Sequence, residues 1–219
     1  NLDLHNLKLK VTSCEKITDA GYQSMTNNLR LIPSLQSCYL KLGASEVITD
    51  KTMMLLGENV QGIKSLTEFH LDLQIAAGIT DSSAKSISQA ISAQEKLKVL
   101  ELSISECRMI TDLWMKKLLG TLVHLPELNN LALSVRKLSN ITDIALSDLS
   151  KSILSMNQLK YLNLDIWHCE KIRDNGIEVI LHSIITSQTL SKAVLSLYFC
   201  KKITNETFKY LEKIAPKAS

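Results

Sequence analysis

Apolar residues in this chain alternate first with period two and then with a period of three to four, and the two rhythms take turns from end to end. The period-two segments read L-x-x-L-x-L-x-[VIL], as in Leu97, Leu100, Leu102 and Ile104 or Leu159, Leu162, Leu164 and Ile166. Successive side chains of a strand point to opposite faces, so this alternation predicts a short strand with one buried face. Between these segments the apolar residues are spaced by three and then four, as in Tyr22, Met25 and Leu29 or Leu146, Leu149 and Ile153. That spacing gathers one apolar stripe on one side of a helix. Pro33 and Pro126 stand at equivalent positions after it, where a helix has to have ended. Each unit is predicted as strand, turn, helix, turn.

The unit recurs at a fixed step. Its first Leu falls at Leu4, Leu35, Leu66, Leu97, Leu128, Leu159 and Leu190, 31 residues apart each time. A second column is also pure Leu, from Leu9 through Leu40, Leu71, Leu102, Leu133 and Leu164 to Leu195. Beyond the strand, Cys14, Ser45, Ala76, Cys107, Leu138, Cys169 and Cys200 form a mostly small column, expected to fill a buried corner. An Ile column follows, Ile17 to Ile203, and then Thr-Asp in five copies, Arg173-Asp174 in the sixth and Thr204-Asn205 in the seventh. Thr ahead of an apolar-periodic segment marks a helix start, where its hydroxyl can accept from an orphan backbone N–H. The Asp after it complements the helix dipole.

One strand and one helix cannot close a core, but seven stacked copies bury the leucine face of a parallel sheet against the helix stripes. The chain is therefore expected to be one α/β domain over 1–219. Its architecture is a curved right-handed β-α superhelix, with the parallel sheet concave, the helices convex and a sheet about 30 Å across. Three helix columns fill the interior: Tyr22 to Phe208, Met25 to Leu211, and Leu29 to Ala215. Leu113 and Ile144, with Val123, Leu154 and Ile185 at the helix ends, are expected to extend this core, with a second contact patch on the convex side as the alternative. The first repeat has no polar cap, so Leu4, Leu7 and Leu9 call for a cover.

These columns resemble leucine-rich repeats along essentially the whole chain. The C-x-x-I-T-D-x-[GA] element, Cys14 to Gly21 and (with Arg173 for Thr) Cys169 to Gly176, is similar to the cysteine-containing subclass of F-box substrate receptors. The helix-bearing unit is similar to the ribonuclease-inhibitor subclass. The L-x-x-L-x-L-x-L strand at a 31-residue step, longer than the usual period, resembles repeats in large proteins of ciliated protists. The resemblance implies a leucine-rich-repeat solenoid whose function is set by residues grafted onto the scaffold.

Composition narrows the chemistry. Lys plus Arg number 25 against 22 Asp plus Glu, a net charge of +3, too weak a field to single out nucleic acid or an anionic membrane as partner. No apolar run reaches the roughly 18 residues of a membrane span, and no basic-then-apolar start resembles a signal peptide. Four of the five Cys share one repeat column, which reads as reduced thiols in an intracellular, cytoplasmic protein, with cilium or cytoskeleton as a specific setting. A column along a solenoid is a line, and a tetrahedral metal site needs convergent ligands, so no metal is expected. His124 and His182 are assigned to helices without a Cys or Ser partner, and seven glycines leave no phosphate-cradling loop. No catalytic residue and no cofactor are expected.

What remains are the outward strand positions, which the repeat does not dictate. They run from basic (Lys8, Lys10, Lys41, beside Tyr39), through acidic (Glu68, His70, Asp72, Glu101), to aromatic (Tyr161, Asn163, Asp165, Trp167, Tyr198), with His168 and Phe199 on the rim. Aromatic residues anchor interfaces more often than other types. Tyr161, Trp167 and Tyr198 are therefore the expected hot spot, with Asp165 supplying direction and His168, Glu101, Asp72 and His70 extending the partner-binding set. The expected function is a non-enzymatic protein–protein interaction scaffold, or a structural subunit of a larger assembly, with a protein as partner. The alternative is the recognition domain of an enzyme complex, either an F-box-type ubiquitin-ligase receptor or the repeat arm of a longer kinase-containing chain. An F-box or kinase motif upstream of Asn1 would mark that alternative.

Overall fold

A computed structural model of the chain describes residues 3–14, 16–43 and 48–214. Ser45 and Ala215, assigned above to the small column and to a helix stripe, lie outside the described residues. The elements alternate as the pattern predicts: β1 (Asn6–Thr12), α1 (Asp19–Leu29), β2 (Ser37–Gly43), α2 (Asp50–Gln61), β3 (Glu68–Gln74), α3 (Ala84–Ser92), β4 (Val99–Ser105), α4 (Asp112–Leu122), β5 (Asn130–Arg136), α5 (Asp143–Ser155), β6 (Tyr161–Asp165), α6 (Asp174–Thr186), β7 (Lys192–Ser196) and α7 (Asn205–Ile214). A short 3-10 turn, Asp81–Ser83, leads into α3. The strands form one open seven-stranded parallel sheet in chain order. Each residue pairs with the one 31 positions on, so Leu71 lies beside Leu102 and Leu102 beside Leu133. This is an α/β repeat solenoid.

The core sits between the sheet and the helices. Leu40, Leu71, Leu102, Leu133 and Leu164 of the pure-Leu column are at most 3% exposed, and so are Leu56, Ile87, Leu118, Leu149 and Ile180 of the central helix stripe. Both ends depart from this. Leu7, Leu9 and Val11 are only half-buried, and at the other end Ala193 is exposed and Phe208 is 58% exposed. A middle repeat is covered by a neighbour on each side, and each terminal repeat by one. The same reasoning corrects Cys14, which is exposed rather than buried. Cys169 and Cys200 pack against the preceding repeat, donating from Sγ to the Val135 and Ile166 carbonyls at 2.9 and 3.1 Å. No preceding repeat stands beside Cys14 among the described residues.

Two further expectations are corrected. Leu113, Ile144, Leu154 and Ile185 are 48–63% exposed and do not extend the core; Val123 alone of that group is half-buried. Their columns sit on the outer half of each helix, beyond the apolar stripe that meets the sheet. His124 lies in the turn after α4 rather than within the helix.

The Thr–Asp pair does more than cap. Thr49, Thr80, Thr111 and Thr142 accept from the backbone N–H two residues on, as a cap should. Each hydroxyl also donates to the Asp of the preceding repeat. Asp81 accepts from the Thr111 N–H and Oγ1 at 2.9 and 2.6 Å, and Asp112 from those of Thr142 at 2.8 and 2.6 Å. Asp50 and Asp174 do the same with Thr80 and Thr204. Among the described residues Asp143 accepts only the Arg173 N–H, because Arg173 replaces the hydroxyl-bearing Thr. A ladder of carboxylates thus staples repeat to repeat along the helix starts.

A second regularity lies just past the end of each strand, on the way to the same helix starts. Ser13, Ile75, Glu106, Lys137, His168 and Phe199, at one repeat position in every copy but the second, whose equivalent lies outside the described residues, all have φ between 53° and 60°, and none is Gly. In this left-handed turn each of the first five sends its N–H to a carbonyl of the following repeat, as Ile75 does to Ser105 at 2.9 Å and His168 to Tyr198 at 2.8 Å. Left-handed geometry crowds a β-branched side chain most. Ile75→Gly removes that crowding and gives up little burial, since Ile75 is 45% exposed. It is expected to raise unfolding free energy by about 1 kcal/mol in urea titration.

Candidate interaction face

The outward side chains of the strands make one continuous face. Its third rung runs Lys10, Lys41, Asp72, Ser103, Ser134, Asp165 and Ser196, adjacent strand by strand. The second runs Lys8, Tyr39, His70, Glu101, Ala132, Asn163 and Val194. Where Ser103, Ala132 and Ser134 follow one another the side chains are short, and a groove of about 380 Å³ opens over them. His70, Asp72, Glu101 and Asp165 all line it. The structure therefore brings four of the expected residues together around the middle of the sheet, and Asp165 belongs with this acidic group rather than with the aromatics.

The walls of the groove are ion pairs. Lys41 Nζ meets Asp72 Oδ2 at 2.5 Å, and Arg136 reaches Asp165 Oδ2 through Nη2 at 2.5 Å and Nε at 2.7 Å. His70 Nδ1 stands 2.8 Å from Glu101 Oε2, with Glu68 Oε2 4.0 Å from its other nitrogen. The Asp72 and Asp165 side chains are only 16% and 15% exposed. In each the second oxygen, Oδ1, is shielded and has no hydrogen-bond partner among the described residues. Arg136 escaped sequence reading because its partner lies 29 residues on, not 31; only a diagonal comparison of outward columns would have paired them.

The aromatic residues divide. Tyr161 opens β6 under Lys192, whose Nζ is 5.3 Å from the ring centroid. Trp167 lies beyond the far end of β6, six residues or about 20 Å of extended chain away. The strands β6 and β7 end at Asp165 and Ser196, so Trp167 and Tyr198 are loop residues and not strand residues. On that rim Phe199 meets Trp167 edge to face at 5.9 Å, His168 is 5.8 Å from the same ring, and Lys137 Nζ sits 5.0 Å above it. Tyr198 and Phe199 are 65% and 69% exposed. The rim cluster is thus Trp167, His168, Tyr198 and Phe199, with Lys137 as a cation that sequence reading missed.

The four buried thiols are chemically quiet. Burial pushes Cys38 up to about 12 and Cys107 and Cys169 up to about 11, and raises Cys200 as well. At neutral pH they are protonated, and a protonated thiol is a poor nucleophile and a poor metal ligand. The Asp column is engaged by the Thr ladder. His182, in α6, has Nδ1 3.0 Å from the Tyr210 hydroxyl.

No protein-family model matches the chain, and no curated protein matches it. Among solved structures the chain is similar to the Rad7 and Elc1 complex of yeast, at 17% identity and a TM-score of 0.40, over 95% of this chain and 67% of that one. No helix among the described residues is long and apolar enough to cross a membrane.

Proposed function

We propose that this chain is a non-catalytic leucine-rich-repeat scaffold that holds a protein partner on the outward face of its sheet, working inside the cell as a subunit of a larger assembly. One observation carries the reading: Tyr198 and Phe199, 65% and 69% exposed, extend the packed Trp167 ring into solvent at the edge of that face. A repeat fold does not require large aromatics there, and leaving them wet forgoes the burial that such side chains offer an interface. The groove beside them supplies polar groups for orientation. Reduced, protonated thiols fit an intracellular setting.

Capture from a cell lysate on the immobilised chain, followed by mass spectrometry, tests this. The partner recovered by the wild-type chain is expected to fall at least about tenfold with Trp167→Ala plus Tyr198→Ala, the loss typical of an interface anchor. Leu154→Glu plus Ile185→Glu, on the convex side, is expected to leave recovery unchanged. Full recovery by the aromatic double variant would place the interface elsewhere.

A further inference from the structure

The groove in the middle of the sheet has its own ligand preference, and it differs from that of the aromatic rim. Both lining cations are already matched: Lys41 to Asp72 and Arg136 to Asp165. On the acceptor side there is a surplus, because three carboxylates, Asp72, Glu101 and Asp165, line the groove against those two cations, and among the described residues Glu101 meets only the His70 imidazole. Asp72 and Asp165 occupy the same rung, separated by Ser103 and Ser134. Three strand spacings put them about 14 Å apart. Between them the floor carries only short side chains, so the space is open to a visiting chain.

A visitor that suits this slot must bring positive charge, because the lining carboxylates outnumber Lys41 and Arg136 and a further anion would meet carboxylates on both walls. We propose that the groove binds a protein segment carrying two basic side chains, Arg in preference to Lys, one directed to Asp72 and the other to Asp165. Arg is favoured because a guanidinium offers several donors and can share the outward oxygen of each carboxylate with Lys41 or Arg136. In an extended segment crossing the strands, residues four apart are about 13 Å apart and match the slot. This inference rests on the sheet face being the binding surface, and it adds the partner's chemistry: basic residues in the groove, beside whatever seats on the aromatic rim.

The test uses a synthetic nine-residue probe, acetyl-GSRGSGRSG-amide, titrated into the chain and followed by backbone amide NMR shifts. Binding is expected to move the amides of β3 to β6, to weaken with added salt, and to vanish when both Arg of the probe are replaced by Glu. Asp72→Asn and Asp165→Asn are each expected to weaken it about tenfold. Ala132→Arg, which fills the slot with a guanidinium of its own, is expected to block it while leaving the thermal midpoint intact. No binding of the Arg probe to the wild-type chain, equal binding of the Glu probe, or unchanged binding by the Asp72→Asn, Asp165→Asn double variant would each overturn the proposal. Its failure is separable from failure of the scaffold reading. A lysate partner lost with the Trp167 and Tyr198 variants but fully kept by the double Asn variant refutes only the basic-segment assignment.

Discussion

Replacing Trp114 by Ala is expected to cost about 3–5 kcal/mol of unfolding free energy, among the largest single-residue losses in the chain. Trp114 is 2% exposed at the first turn of α4, and its indole N–H donates to the Ser83 hydroxyl of the preceding repeat at 3.0 Å. The other residues of its column are Gly21, Thr52, Ser83, Ala145, Gly176 and Thr207, all small. One repeat interface is therefore built around a ring where the others close over small groups. Removing the ring leaves a cavity that the stapled helices α3 and α4 cannot collapse without breaking their register. Urea denaturation followed by circular dichroism measures the loss. A decrease below about 1 kcal/mol would mean that the interface closes around Ala as its neighbours do.

Asp112→Ala is expected to cost about 2–4 kcal/mol, because it strands two donors at once. The Thr142 N–H and hydroxyl both give their hydrogens to this carboxylate, at 2.8 and 2.6 Å, in the middle of the solenoid. Asp143→Ala loses only the Arg173 N–H and is expected to cost about half as much in the same denaturation series. The ladder also gives stability a direction with pH. The Thr204 N–H, together with the Thr207 hydroxyl, holds the Asp174 carboxyl below the usual carboxylate range. A carboxyl whose folded pKa lies below its unfolded value contributes stability that is present above the unfolded pKa and lost as pH falls through the folded one. Asp174→Asn is therefore expected to flatten the acid limb of a thermal-midpoint profile. Parallel acid limbs in the two proteins would rule out the linkage.

Strand, helix and register were legible because they are set by columns, and a column averages over seven copies. Leu102 and Leu133 declare their face through alternation alone. What escaped were contacts that join one repeat to the next. The Asp column reads correctly as a helix start, yet nothing local reveals that its carboxylate is spent on the Thr of the following repeat. Arg136 and Asp165 meet on a diagonal, which comparison at the repeat period does not sample. The convex Leu113 and Ile144 were misassigned because hydrophobicity says that a side chain would gain from burial, not that anything is there to bury it. The aromatic set was divided for a related reason. Sequence places Tyr161 and Trp167 six residues apart, but an extended strand turns that into opposite ends of the sheet.

The left-handed rim residues have a consequence for how such a molecule can diversify. Their backbone geometry is prescribed by the hydrogen bond to the next repeat, and their side chains are not: the same φ near 55° carries Ser13, Ile75, Glu106, Lys137, His168 and Phe199. From Ile75 to Phe199 the rim is in effect a comb with one tooth per strand, about 4.8 Å from tooth to tooth. Each tooth can be exchanged without redrawing the frame. Glu106 and Lys137 already show neighbouring teeth speaking to each other, through a 2.8 Å ion pair. A lineage that duplicates this unit inherits a new blank letter with each copy, already held at reading distance from the last.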